Sequence, residues 1–572
     1  NNGFKNGHPF FENISHKAGI TIEGFGLGVG ISDINQDGFP DIYVSNDFIS
    51  NDILYINQGD GSFKNRIDEF FKHQSHNGMG NDIADINNDG LTDILVMDML
   101  PSTNKKRKTM LNKPNYDLFQ FSKFLGYQPQ YMRNTLQLNR GNFGDKSYFS
   151  EIGQLAGISS TDWSWASLFA DFDLDGYKDI FITNGYLKDI TDLDFIVYRK
   201  RHTLFTSKQK FDSIYLSSVS RLPEEKQQNY FFKNNKDLTF EDVSMVWTDR
   251  SPGFSNGVVY ADLDNDGDLD LVVSNINEKV TVLKNTTREE GNARYLSIDF
   301  KGPKGNLNGI GSKVWVYAGG ILQFSENFTT RGFQSSVAPE LNFGISDNVS
   351  IDSIKVLWPD QKYSVIYDVP VDTTLTIQYG GIDPLPYNKK KSHYLFQEIA
   401  QQINVEYKHE DMLFVDFKRE PLIPRNYSFN GPSIAVADID GDELDDFYIS
   451  GSYPYSGKLF TQNKDGTFDT IPAPFNKNHE GQASLFFDSD NDGDNDLYIV
   501  NGGSELFDDG YYHDEFYTND GRGNFNLSDN IPKENVSGSC VIASDYDKDG
   551  DLDLFIGGRI TVSYTHLTLP TI

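Results

Sequence analysis

The chain has 572 residues, 38% of them hydrophobic and 14% aromatic, so it can bury sizeable cores and is not globally disordered. Its formal charge of -33 excludes nucleic-acid phosphate as a default partner. A single cysteine excludes an internal disulfide, and no apolar run approaches the length of a membrane-spanning helix.

The chain opens on Asn1-Asn2-Gly3, with no signal-like segment, and reads as a start inside a repeat. A first acidic loop follows, with Asp33, Asn35, Asp37, Gly38 and Asp41 at positions 1, 3, 5, 6 and 9. Asp85, Asn87, Asp89, Gly90 and Asp93 repeat it, as do Asp171, Asp173, Asp175, Gly176 and Asp179. The fourth copy, Asp262, Asp264, Asp266, Gly267 and Asp270, sits in the string DLDNDGDLD. So many like charges in nine residues repel one another unless a cation lies among them. Oxygens at 1, 3 and 5 with a glycine at 6 match the opening of an EF-hand calcium loop. Here the closing carboxylate comes at 9 rather than 12, and Leu271-Val272-Val273-Ser274 favours a strand over a helix. Each copy therefore predicts a calcium loop leading into a β-strand.

Small and apolar residues precede each loop, as in Gly257-Val258-Val259-Tyr260-Ala261, and β-rich runs such as Ile42-Tyr43-Val44-Ser45 follow. An apolar pair leading to Asn, Gly and Phe then recurs: Asn57, Gly59, Gly61 and Phe63; Asn463, Gly466 and Phe468; Asn519, Gly521, Gly523 and Phe525. This predicts four-stranded units of about 50 residues, the size of a propeller blade. Two insertions interrupt the first set. Residues 101–133 carry Lys105-Lys106-Arg107-Lys108 and read as a loop with a short helix whose basic run is a solvated face. Residues 186–230 have helical spacing and read as a helical insertion over one propeller face. Long excursions from a rigid scaffold often carry function.

From 291 to 380 the loops stop, and Lys313-Val314-Trp315-Val316-Tyr317 and Ser353-Ile354-Lys355-Val356-Leu357-Trp358 predict a separate small β-domain. A polar linker spans 381–392. A second set of repeats occupies 393–562, with loops at Asp438, Asp440, Asp442 and Asp446; at Asp488, Asp490, Asp492, Gly493 and Asp496; and at Asp545, Asp547, Asp549, Gly550 and Asp553. In the fifth loop Glu443 holds the glycine position while Gly441 sits at position 4, which marks it as the weakest site. The loops with Asn35 and Asn87 carry one charge fewer and should bind more weakly than the all-Asp loops. Cys540, in the run Cys540-Val541-Ile542-Ala543, is expected to be a buried inert thiol. Ser563 to Ile572 breaks the strand pattern and resembles translated adapter read-through, so the chain reads as a fragment at both ends.

The fold class expected is all-β: propeller blades with about seven structural Ca²⁺ sites, in residues 1–290 and 393–562, flanking the small β-domain. Two propellers are favoured over one, because the inserted domain and linker separate the sets. Seven divalent ions would bring the charge to about -19, so much of the acidity is ligand rather than surface.

With these residues laid out, the chain resembles FG-GAP/VCBS-repeat proteins that bear an ASPIC/UnbV domain, a bacterial group related to cartilage acidic protein. Its loops resemble the DxDxDGxxD repeats of integrin α-subunit propellers. The middle region carries the resemblance to ASPIC/UnbV in Asn308-Gly309-Ile310-Gly311-Ser312-Lys313-Val314, Arg331-Gly332-Phe333-Gln334-Ser335-Ser336, Leu341-Asn342-Phe343-Gly344 and Val356-Leu357-Trp358-Pro359-Asp360. Thr161-Asp162-Trp163-Ser164-Trp165 and Thr183-Asn184-Gly185-Tyr186 resemble the Bacteroidetes members. The resemblance implies a secreted or cell-envelope protein with calcium-stabilised blades, whose family mostly lacks an assigned activity.

No catalytic constellation stands out. The ten histidines are scattered without an HExxH, His73 and His76 read as a polar loop, and no GxSxG elbow, P-loop or paired-cysteine site occurs. The leading reading is a calcium-stapled scaffold that binds or adheres to a protein or glycan, with ion binding contributing to folding. A polysaccharide hydrolase or lyase using two of the many carboxylates is the alternative, and a structural envelope spacer the second.

Overall fold

A computed structural model describes residues 4–5, 8–9, 11–110, 116–143, 146–203, 217–220, 222, 224–249, 252–291, 293–380, 385–386, 398–412, 414–419, 423, 426–471, 475, 478–505, 509–533 and 536–559. The chain divides into two compact units, Asn1–Lys389 and Lys390–Ile572. Among the described residues no helix is long and apolar enough to cross a membrane.

The first unit contains four blades. Three are four-stranded antiparallel sheets: Gly26–Ser32, Asp41–Asn46, Ile53–Asn57 and Phe63–Asn65; Asn81–Ala84, Asp93–Val96, Thr135–Phe143 and Lys146–Glu151; Ser164–Ala170, Asp179–Asn184, Tyr230–Asn234 and Phe240–Asp242. The fourth has three strands, Ser255–Ala261, Asp270–Asn275 and Thr281–Leu283. Neighbouring blades lay their first strands side by side. Strand parity explains the stacking, since alternate side chains leave opposite faces of a sheet. In the second blade Ile94 and Val96 pack on Tyr43 and Leu54 of the first, while Leu95 packs on Phe169 and Ile180 of the third. In the third blade Ile180 and Ile182 face back, and Phe181 faces Val258 and Leu271 of the fourth. A middle strand buried on both faces becomes a continuous apolar run, as Asp179–Asn184 does.

The second unit repeats the plan with Ile434–Ala437, Asp446–Ile449, Lys458–Gln462 and Phe468–Ile471, then Gly481–Phe487, Asp496–Asn501, Glu515–Thr518 and Asn526–Ser528. A pair, Ser537–Ser544 with Asp553–Arg559, follows. Cys540 corrects the sequence reading, because it is exposed. The reason is parity: Cys540, Ile542 and Ser544 share the open face, while Val541 turns inward beside Tyr498 and Val500.

The small β-domain has its own core. Leu296, Phe300, Val314, Val316, Val356 and Trp358 lie between a sheet of Leu341–Ile345, Arg294–Lys301 and Thr373–Gln378 and one built on Ile321–Glu326, Lys313–Ala318, Ile351–Leu357 and Lys362–Ile366. It shares one compact unit with the blades before it. Leu385–Pro386, inside the expected linker, adds a short strand to its second sheet, and the rest of 381–392 lies outside the described residues. So does the tail 563–572.

Residues 101–133 hold two helices, Asn104–Thr109 and Tyr116–Phe124, where one short helix was expected. The second insertion forms a helix at Leu193–Thr203, and its residues 204–216 lie outside the described set. The basic run is not wholly solvated. The Lys106 ammonium lies 2.9 Å from Glu225 and 3.4 Å from Asp162, and Arg107 donates to Ser160 at 2.8 Å.

Candidate metal centre

All seven loops share one backbone geometry. Position 4 is left-handed in each: Gln36 (φ 55), Asn88 (φ 60), Leu174 (φ 58), Asn265 (φ 60), Gly441 (φ 77), Asn491 (φ 61) and Lys548 (φ 66). Position 6 is left-handed too, from Glu443 (φ 69) to Gly550 (φ 102). The double reversal turns backbone N–H groups inward, and the position 6 amide donates to the position 1 carboxylate at 2.8–3.2 Å in every loop. Gly267 serves a second purpose, because a Cβ there would collide with the Tyr295 ring.

Position 9 anchors the loop to its blade. Asp41, Asp93, Asp179, Asp270, Asp446 and Asp496 are buried at the start of the second strand. Each accepts the position 2 amide, as does Asp553, at 2.9–3.3 Å. The other oxygen accepts a backbone N–H from the third strand or the residues just after it, supplied by Asn57, Asn139, Asn234, Asn285, Gln462 and Asn519 at 2.7–2.9 Å. Four of these residues reach further. The side-chain amides of Asn139, Asn234, Asn285 and Asn519 donate at 2.8–3.3 Å to the carbonyls of Ile34, Ile86, Phe172 and Ile439, at position 2 of the preceding blade's loop. In these four blades the asparagine ties the loop to the one before it.

Sequence reasoning found part of this clamp. Asn57 and Asn519 belonged to its recurring signature, but in the fifth blade the equivalent is Gln462 rather than Asn463. The signal is spacing: Asn57, Asn234, Gln462 and Asn519 each stand six residues before a phenylalanine. Glu289 was missed altogether. It lies beyond the fourth loop in sequence, yet its carboxylate gathers with Asp264 and Asp266.

The donor set fits a hard divalent cation. Carboxylate oxygens converge within 4.8 Å in Asp171, Asp173 and Asp179; in Asp262, Asp264 and Asp270; in Asp438, Asp440 and Asp446; and in Asp488, Asp490 and Asp492. Buried oxygens of Asn87, Asp173 and Asp488 have no hydrogen-bond partner in the protein, and such orphans are costly unless an ion or water takes them. Burial pushes Asp85 up to about 6 and Asp41 and Asp171 up to about 8. Lysines offset part of the charge. Lys284 bridges Asp264 and Glu289 at 2.6 Å each, Lys236 lies 3.2 Å from Asp175, and Lys233 contacts Asp173.

The small β-domain covers the loop ends of the first unit. Lys313 is buried against Asp33 and lies 3.5 Å from Glu326; the Gly344 amide donates to Asp171 at 3.1 Å; Asn342 donates to the Gly267 carbonyl at 3.0 Å. Its hairpin, Thr330–Arg331 with Ser335–Ser336, enters among the first strands of the blades. Arg331 donates to Asp82 at 3.0 Å and to the Ile83 carbonyl at 2.8 Å, Phe333 packs on Trp165, and the Ser335 hydroxyl accepts the Val258 amide at 3.1 Å. His73 and His76 are polar contacts, 3.0 Å from Glu151 and 3.2 Å from Gln130.

Comparison with known proteins follows this division. The model of the FG-GAP-like repeat matches residues 33–96, 215–273, 438–499 and 488–556. The model described as ASPIC and UnbV matches residues 302–383. No curated protein matches the chain. Among solved structures, the V. cholerae biofilm matrix protein Bap1 aligns over 92% of this chain and 73% of its own, at 10% identity and a TM-score of 0.20, too low to carry an argument. The repeats, their loops and the domain that caps them make this chain an FG-GAP-like repeat protein with an ASPIC and UnbV domain.

Proposed function

We propose that the chain is a calcium-stabilised scaffold of the cell envelope or extracellular space that binds or adheres to a protein or glycan, and that it acts by binding rather than by catalysis. The observation that carries this reading is the repeated loop: carboxylates converge on one point, backbone amides take only part of their lone pairs, and buried oxygens stay unpaired. Oxygen-only donors suit calcium, whose flexible shell accepts six to eight of them. In this reading the ion is structural. The protein orients the carboxylates through the position 6 amide and the third-strand clamp, and the ion neutralises their repulsion. Affinities of about 10⁻⁴–10⁻³ M per site suit an extracellular module.

The test is thermal unfolding of the full chain across a calcium titration, with EGTA and magnesium as controls. The expected result is a saturable, calcium-selective rise in melting temperature of about 10 °C or more. No shift would sink the reading. Product release from a polysaccharide panel would replace binding with catalysis.

A further inference from the structure

Between the first loop and the ASPIC and UnbV domain lies an open cleft of about 170 Å³, room for part of a small ligand rather than a whole one. One wall is aromatic: Trp315 and Phe324 stand opposite each other on adjacent strands with ring centroids 5.0 Å apart. The floor is the buried ion-pair group of Lys313 with Asp33 and Glu326, which commits the ammonium. Two glutamines flank the opening. Gln36 donates to the Gly90 carbonyl at 3.0 Å and Gln361 to the Gly38 carbonyl at 3.0 Å. Gln36 holds the left-handed backbone that position 4 has in every loop, at φ 55, and Gln361 holds φ 66.

These bonds set the chemistry of the rim. The Gln361 N–H is donated to the Gly38 carbonyl, which leaves the side-chain oxygen of this glutamine as the acceptor beside the cleft. A complementary ligand brings hydroxyl donors and an apolar face to lay on an indole, which is the description of a pyranose ring. The chain's charge of -33 disfavours a polyanionic glycan.

We propose that this cleft is a subsite for a neutral hexose unit of a glycan, with Trp315 as the stacking platform and Gln361 as the hydroxyl acceptor. The proposal rests on the binding-scaffold reading and names its ligand class. It is tested on the full chain at saturating calcium by titration calorimetry with cellotetraose and mannotetraose, with tetragalacturonate and a lysine-rich peptide as controls. At least one neutral tetrasaccharide should bind. Trp315→Ala should weaken that binding about tenfold, and Trp315→Phe should restore most of it. Gln361→Ala, at an exposed turn, should weaken it about threefold with the melting temperature unchanged. Absence of tetrasaccharide binding at millimolar concentration, or equal binding by Trp315→Ala and Gln361→Ala, overturns the subsite. So does Trp315-dependent capture of the peptide alone. In each of these cases a calcium-dependent rise in melting temperature leaves the scaffold reading standing.

Discussion

Glu443 occupies a left-handed backbone position, φ 69, that the other six loops give to glycine. A side chain in that region costs about 1 kcal/mol relative to glycine. Gly441, at position 4 with φ 77, relaxes the neighbouring reversal but not this one. Glu443→Gly should therefore stabilise the second unit by about 1 kcal/mol at saturating calcium, read by urea unfolding. It should also raise crystallographic occupancy of that loop at limiting calcium; equal occupancy in all seven loops of the parent chain would remove the claim that this site is weakest. Residues at this scale were legible wherever a fixed spacing encodes them. Positions 1, 3, 5, 6 and 9 lie within nine residues, so electrostatics and turn chemistry select them together. Asn139 and Asn285 were invisible because the carbonyls they reach in the preceding blade lie more than a hundred residues away in sequence, and Asn234 shows only in its spacing from Phe240. Their worth is measurable. Asn234→Ala removes the bonds to Ile86 and Lys178 and leaves both carbonyls unpaired, at an expected loss of about 2 kcal/mol in the same unfolding assay.

The hairpin at Arg331–Ser336 shows where element-level reading stops. Its string was recognisable, and so was the small β-domain that carries it, but no local pattern says where a hairpin inserts. The reason becomes plain in the packed structure. Burial raises the Asp82 carboxyl above its usual range and Arg331 opposes that rise, while Phe333 completes an apolar cluster with Ala166, Leu168 and Val258. Removing one partner of a buried ion pair costs about 3–5 kcal/mol, and truncating a buried phenylalanine about as much. Arg331→Leu and Phe333→Ala should each loosen the first unit and leave the second untouched. Hydrogen exchange resolved by segment checks this: faster exchange at 26–32, 81–84, 164–170 and 255–261, with 434–559 unchanged, is the expected pattern. Uniform acceleration across the chain would contradict it. Blade strands were easier to foresee, because their parity is local and one register serves both neighbours.

The two units should answer calcium and pH differently, because their loop carboxylates differ in burial. Asp33, Asp85 and Asp171 are buried, whereas Asp438, Asp488 and Asp545 are half-exposed. Without the ion, burial pushes Asp85 up to about 6 and Asp41 and Asp171 up to about 8. Asp438 stays below its usual range, because the Glu443 and Gly441 amides outweigh its slight burial. Raised carboxyl groups keep protons in the folded chain that the unfolded chain releases. Their contribution to cation-free stability is therefore complete below about pH 4 and is lost as pH rises through 6 to 8. Calcium demands the ionised form, so protons compete with it in the same window. In EGTA the first unit's melting temperature should fall between pH 5 and pH 8, while with saturating calcium it should hold or rise. The calcium-induced shift should thus be several-fold larger at pH 8 than at pH 5 for the first unit, and should change less with pH in the second, where Asp446 and Asp490 are raised too and Asp494 reaches about 6. Scanning calorimetry of the full chain, with each transition assigned by hydrogen exchange, separates the two. An equal calcium shift at pH 5 and pH 8 in the first unit would mean that these buried carboxylates are not where the ion binds.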